Sequence, residues 1–335
     1  MKTVRIFLII LCLTQSPAAV ARTPITPVEA MHLVEHLLDR GAIAPMEISL
    51  VQRDGEEIYL FEGIAGTDGI CATVDAHCAR VIELKLNGKP FYRWPGVIVV
   101  AHRGASKFAP ENTLPAFERA IELGADLIEM DVRQTRDGEL ILMHDETVDR
   151  TTDGSGAVEQ LTLAQIRALD AGSWFGDAFR GVRVPTLRQA LAAIRGQARS
   201  DIDFKAGDPE KLVQVLDEGG ALDNTTLYSG DWELLQLTFE LSGKFLIRPT
   251  LPGGLWGLPE LLNHLDPPIV NINWEQFTER AVREVHLAGK KSFLNSMQND
   301  TDTVILEMAS TRPDYLQSDH LDRLIAVLRA KGWHK

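Results

Sequence analysis

At 335 residues the chain is too long for one small domain and suits a large domain with a small companion. Apolar content of 45% and charged content of 24% are those of an ordinary globular protein. A formal net charge of −13 excludes a general binder of nucleic acid or anionic membrane, and leaves phosphate recognition to local cations or a metal.

Residues 1–21 read as a secretory signal peptide. Lys2 and Arg5 make a basic start, residues 6–13 an apolar core, and Ala19-Val20-Ala21 a small-x-small cleavage site. The apolar run is too short to cross a bilayer, so no transmembrane segment is expected after cleavage. Leu11 before Cys12 is not the small residue that a lipoprotein site needs. The expected location is a bacterial periplasm or the medium. In such an oxidising compartment Cys71 and Cys78 are expected to form a disulfide, since their spacing fits no zinc pattern.

Residues 22–95 read as a small α+β domain. The spacing of Met31, Val34, Leu37 and Leu38 predicts a helix over 27–40, with Gly41 as its stop. Asp54-Gly55 predicts a hairpin, and strand material follows up to a second turn at Asn87-Gly88. The stretch "VDAHCARVIEL" resembles the PepSY type of small extracytoplasmic domain. His32 and His36 stand one helical turn apart with no third ligand in support, as on a solvated helix face.

From residue 96 to 335 apolar strands alternate with amphipathic helices. "VIVVAHRG" leads into "TLPAFERAIELG"; "DLIEMDVRQT" and "ELILMHD" follow, and Thr162 with Gln165 predicts a capping box before the next helix. The rhythm continues to "LDRLIAVLRAKG" and supplies about eight strands, which suits a (β/α)8 TIM barrel of about 250 residues. An open doubly wound sheet would show a glycine-rich loop after its first strand, where this chain has His-Arg-Gly-Ala-Ser.

Barrel enzymes work at the carboxyl ends of their strands. Those ends carry His102 and Arg103, Glu129 and Asp131, His144, then Asp203 and Lys205. Glu129 and Asp131 lie two apart and share a strand face, as do Asp203 and Lys205. Carboxylates crowded in a barrel mouth repel each other, and a hard divalent cation such as Ca²⁺ or Mg²⁺ relieves the conflict. Two histidines can share proton transfer, and an arginine fork matches phosphate oxygens. Cation, acid-base pair, Arg103 and Lys205 together describe phosphodiester cleavage. Asn112 or Thr113 is expected to cap the next helix, while Glu111 either orients Arg103 or lines the site. Trp274, after the sixth strand, is a candidate apolar wall.

The run "AHRGASKFAPENTLPAFERAIELGADLIEMDVRQTRDGELILMHDETVDRTTDGSG", with "LDAGSWFG" and "VPTLRQAL", closely resembles the glycerophosphodiester phosphodiesterase family. The likeness runs from about Val99 to Leu191 and combines HRG, ENT, E-x-D, HD and the WFG insertion in order. It implies a PLC-like, metal-dependent barrel that hydrolyses small glycerophosphodiesters to glycerol 3-phosphate and an alcohol. His102 and His144 would be base and acid, in either order. Glu129, Asp131 and Asp203 would hold the cation, with Arg103 and Lys205 on the phosphate. Two positions depart from the family pattern: Asp203 stands where many members carry Glu, and "KKSFLNSMQND" replaces a frequent Trp-Thr-Val-Asn run. Leu294, Asn295 and Met297 therefore leave the alcohol portion open. Two alternatives stand beside this reading. One is transfer on a choline lipid, of the sphingomyelinase D or lysophospholipase D type, which the ENT and WFG features oppose. The other is a non-catalytic envelope binding module, which loss of a histidine or of the E-x-D pair would favour.

Overall fold

The computed structural model describes residues 24–38, 44–53, 55–65, 68–297 and 299–334. The expected signal peptide, the Gly41 stop and Asp54 of the predicted turn lie outside them. The described residues divide into two units: those up to Gly96 with Thr278–Lys290, and Val97–Phe277 with Lys291–Lys335.

In the smaller unit, Thr26 and Glu29 start α1 (Pro27–Leu38) with a reciprocal cap. Glu29 N–H donates to Thr26 Oγ1 at 3.2 Å, and Thr26 N–H to Glu29 Oε2 at 2.6 Å. The buried face is Ala30, Leu33, Val34 and Leu38, rotated from the predicted one, so that Met31 and Leu37 are only partly buried. An antiparallel meander follows in the order β1 (Ala44–Arg53), β2 (Glu56–Ala65), β3 (Asp68–Asp75), β4 (Arg80–Leu86), β5 (Lys89–Arg93). Asn87 and Gly88 take φ of 50° and 75°, the left-handed pair that a two-residue hairpin turn demands. Tyr59, Phe61, Ile70, Val74 and Leu84 bury one sheet face in a common core with α1. The helix Glu279–Leu287 belongs to the same unit: Arg80 Nη2 donates to His286 Nε2 at 2.5 Å, which leaves His286 Nδ1 to donate to Cys78 O at 2.8 Å.

The expected disulfide is corrected here, because Cys71 and Cys78 are not joined. Cys71 sits inside β3, paired with Glu62 and Lys85, while Cys78 is buried in the turn beyond Asp75. Four extended residues carry the chain about 13 Å from Cys71 to Asp75. A disulfide tolerates a Cα separation of no more than about 7 Å.

Strand and helix then alternate along the chain: β6 (Ile98–Ala101), α2 (Leu114–Leu123), β7 (Leu127–Gln134), β8 (Leu140–Leu142), α3 (Leu163–Ala168), α4 (Leu187–Ile194), β9 (Arg199–Phe204), α5 (Pro209–Gly219), β10 (Thr225–Tyr228), α6 (Trp232–Ser242), β11 (Leu246–Ile247), α7 (Leu258–His264), β12 (Ile269–Ile272), α8 (the helix Glu279–Leu287), β13 (Lys291–Asn295), α9 (Asp302–Ser310), β14 (Tyr315–Ser318) and α10 (Leu321–Ala330). Capping boxes at Thr162–Gln165 and Thr186–Gln189 open α3 and α4, the first as its spacing predicts.

β6 pairs with both β7 and β14, all in parallel, and the ladder runs β11-β10-β9-β7-β6-β14-β13-β12. A single bridge, Thr250 to Asn271, joins the two ends and completes an eight-stranded (β/α)8 TIM barrel. β8 hangs antiparallel on the outer end of β7.

Alternate residues of each strand fill the barrel in layers. Val100, Leu127, Ile269, Phe293 and Tyr315 form an apolar floor. Above it Asp201 of β9 is buried with Arg248, which donates from Nε at 2.6 Å and from Nη2 at 2.7 Å. Arg248 also reaches Asn271 Oδ1 at 3.3 Å and lies 4.1 Å over the Phe293 ring. Removing one partner strands a buried charge, at a cost of about 3–5 kcal/mol. Asp201→Ala is therefore expected to lose that much in urea unfolding. Asp201→Leu combined with Arg248→Met is expected to recover most of it.

Candidate active site

β7 and β9 run side by side in a register that sets Glu129 beside Asp201 and Asp131 beside Asp203. Side chains two apart share a face, so Glu129, Asp131 and Asp203 meet at the barrel mouth, each with an oxygen within 4.8 Å of the others. Burial, reinforced by Asp131, Asp203 and Asp201, pushes the Glu129 carboxyl well above its ordinary range. Burial and Asp131 also push Asp203 up. Asp131 goes the other way: burial would raise it, but Lys205, Arg103, His144 and His102 hold it below the usual value. Lys205 Nζ lies 2.5 Å from Asp203 Oδ2 and 3.2 Å from Asp131 Oδ1.

The first strand ends in a strained turn. Arg103 has φ of 56°, and its N–H donates to Glu129 Oε2 at 2.7 Å. Gly104 follows because a Cβ there would meet Phe117 at 2.8 Å and Ala116 at 2.9 Å. The Arg103 guanidinium faces three partners: Nη1 to Glu111 Oε1 at 2.8 Å, Nε to Asp131 Oδ2 at 3.3 Å, and Nε to His102 Nε2 at 3.2 Å. Asn112 does not cap α2. Its Nδ2 donates to Asp131 Oδ2 at 2.7 Å, and its Oδ1 accepts from Asp131 N–H at 3.1 Å. Thr113 occupies the cap position without a side-chain bond to the helix and donates to Pro110 O at 2.5 Å instead.

Each histidine is backed by a carboxylate. His102 Nδ1 lies 2.6 Å from Asp319 Oδ1, at the end of β14, and Asp300 Oδ2 accepts from Asp319 N–H at 2.8 Å. Burial would raise Asp319, but His102 and Lys107 hold it down. His144 Nδ1 lies 2.8 Å from Asp145 Oδ1. Hydrogen bonds from Arg150 hold Asp145 far below the usual carboxylate range.

The donors of the acidic trio are all carboxylate oxygens, the set a hard cation prefers. Asp203 Oδ1 is buried without a hydrogen-bond partner, and Glu129 is pressed toward its neutral form. Both facts fit a divalent cation among the three.

Of the residues expected from sequence, His102, Arg103, Glu111, Glu129, Asp131, Asp203 and Lys205 stand in one connected set. His144 joins it through Asp145 and Arg150 to Glu111, and lines a small cavity with Glu111 and Asn112. Trp274 follows β12 and stacks on Phe277, with ring centroids 6.1 Å apart. Sequence reasoning had Asp145 in the HD motif without a role, and it missed Asp319, Arg150 and the contacts of Asn112 with Asp131. Asp319 closes a strand and was open to the same strand-end rule that found His102.

The sequence pattern of the glycerophosphoryl diester phosphodiesterase family matches residues 102–226. A glycerophosphodiester phosphodiesterase of Caldanaerobacter subterraneus subsp. tengcongensis is 49% identical over 128 residues, 36% of this chain, and the match spans only about half, 53%, of that relative's length. The crystal structure of a glycerophosphodiester phosphodiesterase from Agrobacterium tumefaciens superposes with a TM-score of 0.62 at 35% identity, covering 69% of this chain and all of that one. An Oleispira antarctica phosphodiesterase, solved with the product sn-glycerol-3-phosphate, gives a TM-score of 0.64 at 26% identity, covering 70% of this chain and 97% of that one. The matched stretch carries both histidines and all three carboxylates of the barrel mouth, and the chain belongs to the glycerophosphoryl diester phosphodiesterase family.

Proposed function

We propose that the chain hydrolyses glycerophosphodiesters to glycerol 3-phosphate and an alcohol, with Ca²⁺ or Mg²⁺ held by Glu129, Asp131 and Asp203. The observation that carries this reading is a pair of imidazoles, each backed by its own carboxylate, on strand ends that also bear the acidic trio. Glu129, Asp131 and Asp203 would hold a cation whose charge, when it is bound, would offset the charge that builds on the phosphate oxygens. Arg103 and Lys205 add fixed positive charge beside it.

Arg103 Nε–H points at His102 Nε2, while Asp319 accepts the proton on Nδ1. That pattern keeps His102 Nε2 unprotonated, so its lone pair can act as general base once the Arg103 N–H turns to the phosphate. It accepts the proton of the attacking oxygen as the new phosphorus–oxygen bond forms. Asp145 occupies His144 Nδ1, so His144 Nε2 is the nitrogen left to protonate the departing alcohol. The Oleispira protein's bound product is the molecule this reaction would release.

A lysolipid substrate is the second reading. Trp256 is 93% exposed, and Trp174 and Phe108 are also exposed, all on connections that follow the barrel strands β11, β7 and β6. Such connections build the catalytic face of a barrel, and indole rings suit the boundary between water and acyl chains. The PepSY-like assignment of the small unit belongs to the same proposal, supported by one helix sharing a core with an antiparallel sheet.

Glycerophosphocholine, glycerophosphoethanolamine, glycerophosphoinositol and lysophosphatidylcholine, each followed for product release, discriminate these readings. Glycerol 3-phosphate is expected from the first three, stopping in excess chelator and returning with Ca²⁺ or Mg²⁺. Release that persists in chelator sinks the cation, and choline release from the lysolipid alone selects the second reading.

His144→Ala is expected to lower turnover by about 10²–10⁴-fold. Asp319→Asn leaves His102 in place but unsettles its tautomer, and should cost about 10²-fold or more. Turnover equal to the parent enzyme, with an unchanged melting temperature, removes the residue concerned from the mechanism.

A further inference from the structure

Arg150 lies on the loop after β8, and the mechanism above makes no use of it. Its guanidinium joins two carboxylates that otherwise serve different groups. Nη1 donates to Glu111 Oε2 at 2.9 Å and Nε to Asp145 Oδ2 at 2.7 Å. Nη2 donates to both remaining oxygens, Glu111 Oε1 at 2.8 Å and Asp145 Oδ1 at 3.0 Å. Those two oxygens are the ones that hold Arg103 Nη1 and His144 Nδ1. A single nitrogen thus sits between the phosphate-side arginine and the distal histidine.

We propose that Arg150 is a positioning residue that locks Arg103 and His144 into one frame by bridging Glu111 and Asp145. The proposal rests on the phosphodiesterase reading. The bridge needs a planar fork with donors on three nitrogens, which a lysine ammonium lacks. It also ties the loop after β6 to the loop after β8, so that the two sides of the phosphate site keep a fixed separation. Displacement of a reacting group by about 1 Å costs roughly 10²-fold in rate.

Arg150→Ala and Arg150→Lys in the full chain test this. Each is expected to lower kcat by about 10–10²-fold, more than it raises KM, without a change in melting temperature. Added guanidinium ion is expected to recover part of the loss in Arg150→Ala, and lysine to recover little. Full turnover in Arg150→Lys would mean that charge alone suffices, and overturns the bridge.

A second readout needs no substrate. ¹⁵N resonances of His144 in its neutral form are expected to report a proton on Nδ1 in the parent chain and a tautomer mixture in Arg150→Ala. An unchanged Nδ1–H signal overturns the proposal whatever the activity. Should the parent chain cleave no phosphodiester, the functional reading fails by itself, and the tautomer measurement still decides the role of Arg150.

Discussion

Three carboxylates with oxygens within 4.8 Å of one another are the constraint around which the barrel mouth is organised. Water would screen such a cluster on an open surface. Inside the barrel it cannot, so the repulsion is met by placement of charge. Lys205 and Arg103 stand against Asp131, Asn112 adds two hydrogen bonds to it, and Glu129 bears the remainder by being forced toward neutrality. A divalent ion would replace that compromise with direct ligation.

The cluster exists because of strand register. Glu129 and Asp131 of β7 stand level with Asp201 and Asp203 of β9, and all four face inward. The lower pair member, Asp201, is neutralised by Arg248, and the upper members are left for the site. A slip of one residue in either strand would turn that strand's two carboxylates toward the helices and break up the cluster. The left-handed backbone at Arg103 and the close packing at Gly104 extend the same rigidity into the first loop, where His102 takes Asp319 as its anchor.

Strand-borne features were legible in the sequence because period two reveals a shared face. Glu129 with Asp131, and Asp203 with Lys205, needed only that rule. The alternation of strands and helices sufficed for the barrel. What escaped was loop chemistry and long-range pairing. Asp319 meets His102 across 217 positions, and no local pattern announces such a partner. Arg150 lies in a connection without period, where spacing says nothing about direction. Asn112 precedes a helix and so looked like a cap, yet Asp131 competes for its amide and wins both hydrogen bonds. Cys71 and Cys78 were judged by number and compartment, although an extended strand between them carries the thiols apart.

The seam between β11 and β12 follows from how short β11 is. Only Leu246 and Ile247 form that strand, and the join to β12 rests on two main-chain contacts, Asn271 N–H to Pro249 O at 2.9 Å and Leu251 N–H to Asn271 O at 2.8 Å. Side chains supply the rest: Arg248 and Thr250 both grip the Asn271 amide group, at 3.3 and 2.9 Å. The cylinder is therefore buttoned at one place, and Arg248 is both the counter-ion of Asp201 and one of the buttons. Amide protons along this line should trade with solvent sooner than those elsewhere in the wall, making it the place where the ring first comes undone.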